Sequence, residues 1–196
     1  MDASEDRLLG VRHFDVTITN KNLDSSVKTL IGHIKKSWDV EKLQKKVFDN
    51  GITNKLIGYY VSHGGTRMTS QFGEYGRSEM VLFRIYGNKT ELFIDRAKEL
   101  RNFQLLASND LAAPLYCTFE NGYCYGFIEG KVLEPPDMSD AVTSKLCAKI
   151  MARMHSIKLP ESYKVHIKPD MDLYGGLQKM LKVAPRKFSD ADKQKK

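Results

Sequence analysis

Phe48-Asp49-Asn50-Gly51-Ile52-Thr53-Asn54-Lys55-Leu56 is a polar, glycine-centred turn set between two apolar runs, with Val47 and Phe48 leading in and Leu56-Ile57-Gly58-Tyr59-Tyr60-Val61 leading out. Asn-Gly favours a hairpin because both residues tolerate positive φ. A turn with no side chain at Gly51 also lets backbone N–H groups close around an anion, and the Thr53 hydroxyl and Asn54 amide add donors. Two readings stand at this point: a phosphate clamp, or an ordinary surface hairpin. The elements around the turn decide between them.

Upstream, Val11 to Thr19 alternates loosely through Phe14, Val16 and Ile18 and predicts a strand. Asn22 or Asp24 can cap a helix running to about Trp38, with Leu23, Val27, Leu30, Ile31, Ile34 and Trp38 on one face. Downstream, residues 62–79 are rich in Gly, Ser, Thr and Arg and carry no periodicity, which predicts a long mobile insertion. Met80 to Tyr86 reads as a buried strand interrupted by one charge, Arg84. A helix is predicted over Thr90–Ala107, with Thr90 as N-cap and an inner stripe of Phe93, Ala97, Leu100, Phe103 and Ala107. Pro114 ends that segment; Leu115–Phe119 and Tyr123–Ile128 then flank an Asn121-Gly122 turn as a second hairpin. Residues 129–136 form a Pro-rich linker, and Ser139 caps a helix to about Ile157 with Val142, Leu146, Ile150, Met154 and Ile157 inward. The pattern weakens after Pro160, where Leu173–Val183 could form a short helix.

A charge inside an apolar strand needs a partner. Glu99, on the helix after the Arg84 strand, is placed to supply one, two to three turns beyond the predicted helix start. An arginine held by a carboxylate offers a fixed fork suited to phosphate oxygens. Singly, Arg84 reads as a snorkelling edge residue and Glu99 as one charge on a solvated helix face. In this order the elements match the small lobe of a protein-kinase-like fold. There a Gly turn covers the nucleotide phosphates, a strand cation binds them, a helix carboxylate holds that cation, and the last strand leads into a hinge at the adenine. The fold class is therefore α+β: an antiparallel sheet plus one long helix, then the first helices of an incomplete large lobe. The divisions are a disordered N-terminus over 1–10, a nucleotide-binding lobe over 11–130, the start of a helical lobe over 131–184 and a basic tail over 185–196. Gly51, Thr53, Asn54, Arg84 and Glu99 are the candidate phosphate-binding residues, and Tyr125, Phe127 and Ile128 the candidate hinge.

Composition sets outer bounds. The chain has 196 residues, 41% hydrophobic and 28% charged, enough for a packed core and against wholesale disorder. The formal charge of +7 suits phosphate-rich ligands, but the basic residues are dispersed and no strand face interleaves them with aromatics, so no nucleic-acid partner is expected. Three cysteines, Cys117, Cys124 and Cys147, without a C-x-x-C pair predict reduced thiols and no metal site. There is no apolar leader and no run of membrane-spanning length, and a cytoplasmic location is expected.

Several separated segments keep the order and spacing of a known family. Phe48–Leu56, Val81–Gly87, Thr90-Glu91-Leu92, Arg101–Leu106, Pro114–Gly122 and Ala152-Arg153-Met154-His155 resemble the amino-terminal half of ethanolamine kinases in the choline/ethanolamine kinase family, over about residues 12–160. The resemblance implies ATP and Mg²⁺ as cofactors and phosphorylation of ethanolamine to phosphoethanolamine, the first step of a phosphatidylethanolamine pathway. The Gly51–Lys55 turn and the Tyr116–Gly122 hairpin favour ethanolamine over choline. Residues 62–79 depart from the family pattern and look like an insertion or an alternative exon.

The family's catalytic loop has the form His-x-Asp-x-x-x-x-Asn and follows the hinge. Nothing after Gly130 matches it, and Asp170-Met171-Asp172 has no preceding His. The literal pattern occurs once, from His13 to Asn20, but ahead of the Gly turn and within an alternating, strand-like segment, so it is set aside. No catalytic residue and no metal ligand are assigned in this chain, and the polypeptide alone is expected to be inactive. The alternative is a non-catalytic, nucleotide-binding or kinase-modulating protein, as a dimer or paired with a full-length kinase.

Overall fold

The computed structural model describes residues 10–48, 54–61, 80–87, 90, 94–164, 177–178 and 180–182. Gly51 and Thr53, the insertion at 62–79, the first nine residues and the tail at 185–196 lie outside the described residues.

Six strands form one sheet: β1 (Arg12–Phe14), β2 (Leu43–Phe48), β3 (Asn54–Val61), β4 (Val81–Tyr86), β5 (Leu115–Phe119) and β6 (Gly122–Gly126). Their spatial order is β1-β5-β6-β4-β3-β2. The two predicted hairpins are present. β2 and β3 pair antiparallel from Leu43↔Val61 to Phe48↔Leu56, and β5 and β6 pair antiparallel across Asn121. One neighbour departs from the antiparallel expectation. β1 lies parallel to β5, with Arg12↔Cys117 and Phe14↔Phe119, so the sheet is mixed.

β1 is also shorter than the predicted Val11–Thr19 strand. The Asn121 side chain accounts for the difference. It accepts from Ile18 N at 2.9 Å and donates to Ile18 O at 2.8 Å, taking the backbone groups that a longer ladder would have used. The side chain of this turn residue thus ties the first segment to the second hairpin.

Side chains alternate across the sheet, and directly paired residues share a face. Ile57, Tyr59, Val81, Phe83 and Cys124 line one face, and helix α1 (Leu23–Ile34) covers it with Val27, Leu30 and Ile31. α1 ends at Ile34, short of Trp38, which packs at the edge of the core from the following turn. A 3-10 turn, Val40–Lys42, then leads into β2.

The opposite face carries Arg84, Tyr123 and Tyr125, and helix α2 (Arg96–Ala107) lies over it through Phe103, whose ring is 5.6 Å from Tyr123 and 5.2 Å from Tyr125. α2 begins six residues later than predicted. Asp95 is its N-cap and accepts from Lys98 N at 3.0 Å. Thr90 closes a separate turn instead, donating its hydroxyl to Gly87 O at 2.9 Å.

Gly122 is required by close approach, since a Cβ there would lie 2.1 Å from Arg84 O and 2.6 Å from the Phe119 ring. Cys117 and Cys124 are buried free thiols, as expected of core cysteines, and burial beside Cys117 pushes the Cys124 thiol up; Cys147 is only half-buried.

After β6 come a 3-10 turn (Pro135–Ser139), helix α3 (Ala141–His155) and the short helix α4 (Glu161–Lys164). The cap of α3 is Asp140, which accepts from Thr143 N at 2.7 Å; Ser139 belongs to the preceding turn. The predicted inward stripe is not inward. Val142 is 67% exposed, Leu146 57% and Ile150 50%, because no described element packs against this face. Residues 177–178 and 180–182 are helical, in the middle of the helix predicted over 173–183.

Candidate functional site: an arginine fork held by a helix carboxylate

Arg84 sits in the middle of β4, paired with Leu56 on one side and Tyr123 on the other. Its Nη2 is 3.3 Å from Glu99 Oε1, and its Nη1 donates to Tyr123 Oη at 3.1 Å. Tyr123 Oη donates in turn toward Glu99 Oε1 at 3.4 Å, closing a three-membered ring of polar contacts. Glu99 lies in the first turn of α2, not two to three turns along, because the helix starts at Arg96. That position also sets its negative charge near the positive end of the helix dipole.

Arg96 is a second cation at the site. Its Nη1 donates to Glu99 Oε2 at 2.7 Å, its Nη2 donates to the Thr90 hydroxyl, and its guanidinium stacks 3.8 Å from the Tyr86 ring centroid. Two guanidinium groups therefore share one carboxylate, and the cluster keeps a net positive charge. The Arg84 side chain is 31% exposed and that of Glu99 19%, so the fork is anchored yet open to solvent. Such a group can accept phosphate oxygens without reorganising. Burial pushes the Tyr123 phenol up, so it stays a protonated donor at neutral pH.

Sequence reasoning paired Arg84 with Glu99, and the structure brings them together. It overlooked Arg96 and Tyr123. Arg96 stands three residues before Glu99, the spacing of a helical ion pair, which was a usable signal. Tyr123 had none, since its contact depends on the register between β4 and β6.

Asn54 opens β3 opposite Tyr86, on the same sheet face as Arg84, so the end of the first hairpin lies on the side of the fork. The candidate hinge residues divide. Tyr125 is half-buried between Phe103 and Tyr123, Phe127 lies 6.3 Å from the Phe48 ring, and Ile128 is 65% exposed. Phe127 N also donates to Met80 O at 3.1 Å, carrying the β6–β4 ladder one residue into the linker. His13, from the motif set aside on sequence grounds, is on the edge strand β1, where Nδ1 meets Thr118 Oγ1 at 2.9 Å.

Comparison with known proteins identifies the family. Residues 46–196 match the Choline/ethanolamine kinase family profile. The chain belongs to the choline/ethanolamine kinase family. A probable ethanolamine kinase of Nematostella vectensis is 38% identical over 186 residues, covering 95% of this chain and 49% of the relative. Ethanolamine kinase 1 of Homo sapiens is 37% identical over 164 residues, covering 84% of this chain and 33% of the relative. Among solved structures, an ethanolamine kinase of Plasmodium vivax superposes with a TM-score of 0.54 at 28% identity over 94% of this chain and 45% of that one. A choline kinase of Cryptosporidium parvum, at 20% identity and a TM-score of 0.51, shares the fold. The chain spans half or less of the length of these family members. No described helix is long and apolar enough to cross a membrane.

Proposed function

We propose that the chain carries the nucleotide-binding lobe of an ethanolamine kinase. The reaction is ATP-dependent phosphoryl transfer to the ethanolamine hydroxyl, giving phosphoethanolamine for phosphatidylethanolamine synthesis in the cytoplasm. One observation carries the reading: Arg84 is held by Glu99 on the sheet face where the first hairpin ends. Relatives named ethanolamine kinases at 37–38% identity favour the amine over choline.

ATP supplies the phosphoryl group. Arg84 takes a phosphate oxygen through its exposed edge, while Glu99 and Tyr123 fix the plane of the guanidinium. Arg96 keeps the site electropositive after Glu99 has been matched. Gly51 and Thr53, which lie outside the described residues, and Asn54 supply backbone and side-chain donors to the phosphates in this reading. Tyr125, Phe127 and Ile128 form the linker side of the adenine pocket. The described residues around the fork do not fit a magnesium ion, because Glu99 already accepts from two guanidinium groups and a phenol. Nothing after Gly130 matches His-x-Asp-x-x-x-x-Asn, so no residue here is assigned to take the substrate proton.

The test is thermal unfolding with and without Mg-ATP, in the wild type and in Arg84→Ala. At a hundredfold excess over Kd, one-site binding contributes about 2.7 kcal/mol, or roughly 5–10 °C for a chain of this size. Equal shifts in the two proteins would overturn the reading. This polypeptide alone turns over no ethanolamine; a coupled assay showing turnover above the Arg84→Ala control would overturn that part.

A second reading rests on α3. Its exposed Val142, Leu146 and Ile150 suit a non-catalytic lobe that docks on another polypeptide, either a second copy or a full-length kinase.

A further inference from the structure

On the sheet face away from Arg84, a crevice of about 280 Å³ opens between α1, the 3-10 turn and the β2–β3 hairpin. It is lined by Asp24, Lys28, Glu41, Leu43, Lys45 and Tyr59. Tyr59 is 4% exposed, and its buried hydroxyl lies beside the Asp24 carboxylate without completing a well-aligned hydrogen bond. Lys45 stands directly opposite Tyr59 in the β2–β3 ladder and so shares its face. Two ion pairs span the rim: Lys45 Nζ to Asp24 at 3.1 Å, and Lys28 Nζ to Glu41 at 2.6 Å.

We propose that this crevice binds a small zwitterion, one carrying an ammonium and an oxyanion a few bonds apart. Two physical facts point there. A buried hydroxyl whose hydrogen bond is poorly formed is rare in folded proteins, because it has lost its water for little in return. Tyr59 therefore presents a donor at the floor of the crevice for an incoming oxygen. Burial and the nearby Asp24 carboxylate hold that phenol protonated.

The rim decides the charge of the ligand. Its two cations are matched by two carboxylates, so a lone anion meets as much repulsion as attraction, and so does a lone cation. A zwitterion can exchange partners without unbalancing the set. Its oxyanion meets Lys45, Lys28 and the Tyr59 hydroxyl, and its ammonium meets Asp24 and Glu41. Opening the rim is easy, because Asp24 is 64% and Glu41 74% exposed, and solvated pairs of this kind contribute little. Leu43 offers apolar contact to the linking carbons.

The experiment is NMR titration of the whole chain with glycine, taurine and O-phosphoethanolamine, beside inorganic phosphate and ethylammonium as single-charge probes. The zwitterions are expected to shift the Tyr59, Lys45 and Lys28 resonances at millimolar concentration, with the single-charge probes at least about tenfold weaker. Tyr59→Phe weakens zwitterion binding by about tenfold or more, the worth of one hydrogen bond to a charged oxygen. It removes a hydroxyl whose hydrogen bond to Asp24 is poorly aligned, so its melting temperature stays near wild type. Lys45→Met is the second variant, with the same direction. Phosphate binding as tightly as the zwitterions, no shift with any probe, or unchanged binding in Tyr59→Phe would each overturn the proposal. Stabilisation by Mg-ATP persists in Tyr59→Phe, so failure at this crevice and failure at the Arg84 fork are read separately.

Discussion

Glu99 holds Arg84 from the first turn of the neighbouring helix: the guanidinium Nη2 and carboxylate Oε1 are 3.3 Å apart, with the Tyr123 hydroxyl bridging beside them. The pair joins β4 to α2 across the sheet face that carries the nucleotide reading. It also makes the carboxylate a structural necessity, because it is shared with Arg96.

Glu99→Gln is therefore expected to destabilise the fold. The amide keeps the shape but removes the negative charge that the Arg84 and Arg96 guanidinium groups share. The loss should be about 1–3 kcal/mol, measured as a shift in urea midpoint with the slope unchanged. Stability equal to wild type would mean that Arg84 and Arg96 are adequately solvated without it.

Gly122→Ala should be far more damaging than its single methyl group suggests. The new Cβ would fall 2.1 Å from Arg84 O, a backbone atom with no room to yield. A cost of at least about 3 kcal/mol is expected, against little change in Gly130→Ala, where nothing lies within 4 Å of the same atom. Comparable urea midpoints for the two variants would contradict the observed β4–β6 approach.

Alkaline pH should weaken the fold. Burial raises the phenols of Tyr59, Tyr123 and Tyr125 above the ordinary value of 10. A raised folded-state pKa means that the unfolded chain loses its phenolic protons first. The stabilisation is fully present below pH 10 and is lost as pH rises beyond it. Melting temperatures between pH 8 and pH 11 should therefore fall steeply only above about 10. Tyr123→Phe should flatten that fall.

The exposed stripe on α3 should govern association. Leu146→Lys and Ile150→Lys remove apolar surface that no described residue covers, so the lobe itself should melt as before. Light scattering should show less self-association for the double variant at high protein concentration. A large drop in melting temperature would place these residues inside a packed core instead.

Much of the fold was legible along the chain, for local reasons. Asn121-Gly122 announced its hairpin because turn chemistry is a short-range property. The faces of α1 and α2 followed from helical spacing, and Val27, Leu30, Ile31 and Leu100 are indeed buried. The start of α2 was misplaced because Thr90 and Asp95 are both plausible caps. The choice fell to Asp95 once the Thr90 hydroxyl was engaged by Gly87 and Arg96. The stripe of α3 misled for another reason: periodicity shows which residues share a face, and says nothing of whether anything packs on it.

By itself the sequence determined the α+β order, the two hairpins, the covered faces of α1 and α2, and the need of Arg84 for an acidic partner, since propensity, periodicity and the cost of a bare charge in an apolar strand act over a few residues. Only the tertiary structure decided that Arg96 and Tyr123 share Glu99 with Arg84, that β1 lies parallel beside β5, and that the Tyr59 hydroxyl is buried beside Asp24 on the opposite face of the sheet. Those relationships depend on strand register and on how helices cross the sheet, and both are settled by packing between residues far apart in the chain.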